Sequence, residues 1–292
     1  MLGTFYSGYK GSKSSHKYFA ASSLLCMIMA IYTGVGGSAK TVSKIYTGID
    51  GTARPVYKGY VGVDGKAKLF FNGGDPISSF ALGTSFSLGG KSARQSFILV
   101  HKGTPGGGMY DSTCNGAWLM YNGIAGSTAI DANNYIYGYE GWALDNWCVN
   151  YPGNNLSSSV NAKLKTVHLP YVKRADYNSA NVSYGSNGLS RKCFLLSAVE
   201  MGVYTWQGVD GLMAQEGAKL DYFDYTTGAT DKRKANDIYW TRSKRTYNGN
   251  YQYTFNADGS FSDVGTHREY SRGMRPCVVL PLNTLVRTST DS

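Results

Sequence analysis

Charge is scarce in this chain, and so are the residues most enzymes rely on. Of 292 residues only 16% are charged, 4 are histidine and 5 are cysteine. The cysteines, at positions 26, 114, 148, 193 and 277, form no Cys-x-x-Cys pair and no Cys/His cluster. Zinc, iron–sulfur and thioredoxin-like chemistry therefore lack a sequence basis. The same spacings make a poor disulfide framework, and both pairing within the large domain and free buried thiols are open. No Gly-x-Ser-x-Gly elbow occurs. The glycine cluster at 103–108 lacks the Gly-Lys-Ser/Thr that ends a phosphate loop, so it reads as a connection between strands. Asp221 and Asp224 are spaced so that a glycosidase pair is not forbidden, but they read as turn and surface residues. A long apolar run is missing too: the stretch from Phe19 to Tyr32 falls short of the roughly 20 residues a spanning helix needs, and no stable membrane insertion is expected.

What is abundant is glycine, with 37 residues, and tyrosine, with 24. Glycine supplies turns, and tyrosine supplies half-buried strand faces and contact surface at low entropic cost. Gly34-Val35-Gly36-Gly37, Gly48-Ile49-Asp50-Gly51 and Gly62-Val63-Asp64-Gly65 recur every 14 residues. The spacing predicts chain reversals separated by short strands, with Asp-Gly as a strong hairpin signal. Units this short bury no core without neighbours, so residues 30–74 are expected to mediate attachment or self-association.

The net charge of +10 is unevenly placed: residues 1–28 carry +3, residues 29–74 carry +4, and residues 75–292 only +3. A nucleic-acid reader concentrates basic residues on its folded face, so no nucleic acid is expected as a partner. The densest basic set, Lys232, Arg233, Lys234, Arg242, Lys244 and Arg245, reads as a solvated face.

Residues 1–28 read as a leader or upstream extension. A signal peptide, a functional start at Met29 and a packed or membrane-contacting segment are all compatible with the pattern. Residues 29–74 form the repeat module and Asn72 to Pro76 closes it, with a linker over 75–78. A large domain over 79–288 and a tail over 289–292 follow. In the large domain, strands are predicted at 96–101, 117–121, 193–197, 238–242, 251–255 and 275–281, the last bounded by prolines and suited to a sheet edge. Helices are predicted from Glu140 to Val149, ending before Pro152, and from Ser158 to Leu164. The order makes the fold class α+β.

Several runs in this domain carry a resemblance: Phe97-Ile98-Leu99-Val100-His101, Cys114-Asn115-Gly116-Ala117-Trp118-Leu119, Val167-His168-Leu169-Pro170-Tyr171, Tyr239-Trp240-Thr241-Arg242-Ser243 and Gly273-Met274-Arg275-Pro276-Cys277. Over roughly residues 95–285 the chain resembles an uncharacterised domain family of prophage tail and minor structural proteins, related to variable receptor-binding proteins of diversity-generating retroelements. The resemblance implies a C-type-lectin-like fold preceded by the glycine-repeat module, a place in the virion tail, and recognition through the last strands and loops, here about Trp240 to Phe261. The tripeptides with which calcium-dependent lectins chelate sugars are absent. No catalytic residue and no cofactor are expected, and the only metal left open is a structural calcium held by oxygens from separate loops.

The expected function is accordingly a non-enzymatic tail protein that binds a host cell-surface glycan or protein. Residues 30–74 would engage other tail proteins or a second copy. The expected contact residues are Trp240, Arg242, Tyr247, Asn248, Asn250, Tyr251 and Tyr253, a dense set of aromatic, amide and guanidinium groups. The alternatives are a secreted or cell-surface carbohydrate-binding protein and, further off, a wall hydrolase.

Overall fold

The computed structural model describes residues 74–130, 139–173, 180–204, 213–246 and 250–286, together with the backbone of strands between 32 and 72. The chain divides into two compact units, Met1–Asp75 and Pro76–Ser292.

In the first unit the glycine repeat resolves into hairpins. They pair β1 (Tyr32–Val35) with β2 (Ser38–Thr41), β3 (Ile45–Ile49) with β4 (Thr52–Val56), and β5 (Lys58–Val63) with β6 (Lys66–Asn72). The closing pairs Val35↔Ser38, Ile49↔Thr52 and Val63↔Lys66 leave two residues for each reversal. Those residues end the Gly-x-(Gly/Asp)-Gly tetrads and themselves lie outside the described ones. The sequence places Gly-Gly or Asp-Gly at those positions, a strong local hairpin signal.

The second unit is mixed α+β, mostly strand with few helices. Its strands are β7 (Asp75–Pro76), β8 (Ser85–Leu88), β9 (Gln95–Gly103), β10 (Gly116–Tyr121), β11 (Gly126–Thr128), β12 (Val167–Leu169), β13 (Leu189–Arg191), β14 (Cys193–Leu195), β15 (Tyr239–Lys244), β16 (Tyr251–Phe255), β17 (Phe261–His267), β18 (Arg272–Met274), β19 (Pro276–Leu280) and β20 (Leu285–Val286). Helices α1 (Ala143–Asn155) and α2 (Ser158–Asn161) separate β11 from β12. One five-stranded sheet runs β14-β19-β10-β9-β8 and a second runs β11-β18-β15-β16-β17. The continuous apolar run Phe97-Ile98-Leu99-Val100 puts β9 inside the first sheet, buried on both faces.

Two expectations need correction. The proline-bounded strand β19 is not at an edge: β14 and β10 flank it, and all five of its residues are buried. Pro276 opens the strand, a position from which its missing N–H spoils little of the ladder. Helix α1 does not stop before Pro152 but runs through it to Asn155. Burial of Tyr151 and Pro152 against the core outweighs the hydrogen bond lost to the proline. The helix start is fixed by Asp145, fully buried, whose Oδ2 accepts from the Gly141 N–H at 2.8 Å while its carboxylate pairs with Arg191 at 2.5 and 2.7 Å. For α2 the capping serine is Ser157, whose hydroxyl accepts from the Val160 N–H at 3.4 Å.

The basic set read as a solvated face is a third correction, since Arg233, Arg242, Lys244 and Arg245 are buried. Arg242 forms a forked pair with Glu200, Nη1 to Oε2 at 2.9 Å and Nη2 to Oε1 at 2.8 Å. Its remaining donors reach the carbonyls of Pro170, Leu195 and Glu216. Glu200 also accepts from the Tyr110 hydroxyl and the Ser197 N–H, both at 2.8 Å. Arg233 lies 4.8 Å over the Phe255 ring and donates to the Thr226 carbonyl at 2.6 Å. For Arg242 a short-range charge pattern cannot reveal this, because Glu200, Leu195 and Pro170 lie 42, 47 and 72 residues away in sequence, whereas Arg233 is received by the Thr226 carbonyl only seven residues back. Of the six, Lys234 alone is exposed, with Lys232 intermediate.

Candidate functional site

Three of the expected contact residues belong to the interior. Trp240 and Tyr253 lie in the core cluster and Arg242 is fully buried. The cause is topological: β15 and β16 both have neighbours on each side in the second sheet, so neither offers an edge, and both are covered. Gln252 and Thr254 are buried as well as Tyr253 and Phe255, so the period-two alternation of β16 does not divide an inner from an outer face. The Trp240 indole N–H is taken by the Thr128 carbonyl at 2.8 Å. Tyr247 and Asn248 lie outside the described residues. Asn250 and Tyr251 alone among the expected set are described and partly exposed.

Around these two the second sheet builds a surface that sequence reasoning missed. Antiparallel pairing sets Tyr251 on β16 opposite His267 on β17, and their rings meet edge to face at 5.4 Å and 79°. A turn after β17, closed by the Tyr270 N–H on the His267 carbonyl at 3.1 Å, brings the Tyr270 ring to 6.3 Å from that of His267. The result is an aromatic row, Tyr251, His267 and Tyr270, whose outer member is 58% exposed. Guanidinium groups flank it at both ends: Arg245 lies 5.7 Å over Tyr251 and Arg272 lies 5.2 Å over Tyr270. Such contacts fix the cation by ring quadrupole while leaving the edge of the guanidinium to other acceptors.

The loop that carries Tyr270 is clipped at two points. The Arg268 N–H donates to the Asn250 carbonyl at 2.9 Å, and the Ile130 N–H donates to the Arg268 carbonyl at 3.0 Å. Arg245 reaches the Val264 carbonyl at 3.4 Å, and Glu269 sits 3.7 Å from the His267 ring. The row is therefore held by backbone from three separate segments. It presents ring faces and edges for stacking and, at its Tyr270 end, the half-buried Arg272 guanidinium for oxyanions, Arg245 being buried at the other end. The one sequence signal available was Tyr270-Ser271-Arg272 after a strand of alternating pattern; what it lacked was the pairing of β17 onto β16.

Elsewhere the described residues offer weaker chemistry. Asp111 and His168 form a dyad at 2.6 Å, with Asp111 also accepting from the Thr113 N–H at 2.9 Å. The nearby thiol of Cys114 donates to the His168 carbonyl, not to its ring, and burial pushes that thiol up to about 11. A neutral thiol so placed is not an activated nucleophile. Asp221 and Asp224 each engage a different partner, His101 at 2.9 Å and Lys232 at 2.9 Å, and do not act as a pair. Cys114, Cys148, Cys193 and Cys277 are free and buried. Among the described residues no group of three or more His, Cys, Asp or Glu is placed to hold a metal ion, and no helix is long and apolar enough to cross a membrane.

Comparison with known proteins gives two family matches. A model described as a domain of unknown function (DUF6273) matches residues 115–282. A second, described as a family of unknown function (DUF6219), matches residues 1–48, a range that crosses Met29 and takes in the first hairpin. No curated protein and no solved structure matches the chain.

Proposed function

The chain belongs to the domain family of unknown function DUF6273, and we propose that it is a phage-tail structural protein whose carboxy-terminal domain binds the host surface. On this reading the domain is lectin-like in fold and acts as a binder rather than a catalyst. The aromatic row of Tyr251, His267 and Tyr270, with the half-buried Arg272 at its outer end, is the contact face. That row is the observation that carries the reading. Aromatic rings held by neighbours stack on a sugar or a protein side chain with little further loss of rotamer freedom, and arginine adds directed donors. The resemblance to prophage tail proteins supplies the setting. The hairpin unit before residue 76 supplies attachment to other tail proteins or to a second copy.

The test is a pull-down of susceptible cell envelopes by wild-type protein and by a Tyr251→Ala, Tyr270→Ala double variant. Wild-type retention with loss of the variant is the expected result. Equal retention of both would move the contact face elsewhere on the molecule, and no retention of either would refute host binding.

A further inference from the structure

Resting on the host-binding reading, we infer that the ligand of this face is an acidic polysaccharide whose sugar rings carry carboxylates, with Arg272 as the residue that reads the carboxylate. Arg191 is paired with Asp145, Arg242 with Glu200, Lys232 with Asp224 and Lys234 with Asp231. Arg233 and Arg275 donate to backbone carbonyls, Arg275 to those of Tyr121 and Arg233 at 2.9 Å. Arg272 differs. Among the described residues its guanidinium meets only the Ser271 carbonyl, at a long 3.4 Å, and the ring of Tyr270 at 5.2 Å. Its Nε is buried without an acceptor among those residues. Glu269, one residue before Tyr270 and three before Arg272, lies instead 3.7 Å from His267.

A half-buried guanidinium 5.2 Å from the centre of an exposed ring keeps a planar fork of donors, which matches a carboxylate in a bidentate pair. The ring beneath it continues into His267 and Tyr251, so a sugar that offers its carboxylate to Arg272 lays its C–H face along aromatic surface. Charge balance favours one anionic group per repeat over a dense polyanion. Glu269, 53% exposed, stands 3.7 Å from His267 within the row, so an acid already sits on this face. A densely charged phosphodiester chain would meet that acid as well.

Full-length protein is immobilised and its binding measured to soluble polyglucuronate, to poly(glycerol phosphate) and to a neutral β-glucan. Polyglucuronate is expected to bind, more weakly as salt rises, and the β-glucan to fail. Arg272→Gln is expected to weaken polyglucuronate binding about tenfold, the order set by loss of a charge-assisted pair. Tyr270→Ala, at an exposed ring, is the second variant and should weaken it too, with circular dichroism unchanged. Equal binding of the β-glucan, tighter binding of poly(glycerol phosphate), or an Arg272→Gln protein that binds like wild type would each overturn the inference. Envelopes that retain wild-type protein when polyglucuronate does not bind would refute the ligand class and leave host binding standing. Envelopes that retain nothing would refute both.

Discussion

Replacing Arg242 by methionine tests whether the buried polar core holds the second unit together. The side chain is fully buried, its fork engages both oxygens of Glu200 at 2.8 and 2.9 Å, and it also serves three carbonyls. Methionine fills much of the volume but leaves Glu200 as a buried carboxylate with only the Tyr110 hydroxyl and the Ser197 N–H. Breaking a buried pair from one side costs about 3–5 kcal/mol, because an uncompensated charge is left in low dielectric. In a unit of this size each kcal/mol lowers the melting temperature by roughly 2–4 °C, so a fall of about 10 °C is expected in calorimetry of the full chain. The Glu200→Met, Arg242→Met double variant removes both charges and should recover part of that loss, since an apolar pair of similar volume is close to neutral. A melting temperature within about 2 °C of wild type for Arg242→Met would refute the reasoning. So would a double variant less stable than the single one by the full additive sum.

Two further outcomes follow from the same interior. Burial raises Glu216 from 4.5 to about 7, against the opposing attraction of Arg242. A carboxyl whose folded value lies above its unfolded one stabilises fully below the unfolded value and loses that contribution as pH rises through about 7. The stability of wild type relative to Glu216→Gln should therefore fall between about pH 5 and about pH 7, by on the order of 3 kcal/mol; urea titrations across that window that run parallel for the two proteins would contradict it. Gly259 has φ +84°, and a Cβ there would come within 2.3 Å of the Thr230 carbonyl oxygen. Gly259→Ala should cost more than about 1 kcal/mol in equilibrium unfolding, while a neutral result would show that the Asn256 to Ser260 turn can shift at little cost.

The sequence determined whatever depends on neighbours along the chain. The 14-residue recurrence of glycine tetrads marked where paired strands meet, because Gly-Gly and Asp-Gly are local hairpin signals and the described pairs close on either side of them. The apolar runs at Phe97 to Val100 and Cys193 to Leu195, and the alternation at Tyr251 to Phe255, marked strands for the same local reason. The α+β class followed from their order. Tertiary structure decided which side of those strands meets water. Trp240, Arg242 and Tyr253 look like contact residues in a window of ten and are core residues once β15 and β16 have neighbours on each side. Arg242 looks solvated until Glu200 and Leu195 arrive from other segments. The aromatic row needed the register that sets Tyr251 opposite His267, together with the turn that returns Tyr270. Burial is a property of the packed sheet, and charge compensation arises between residues distant in the chain, so neither is written in local pattern.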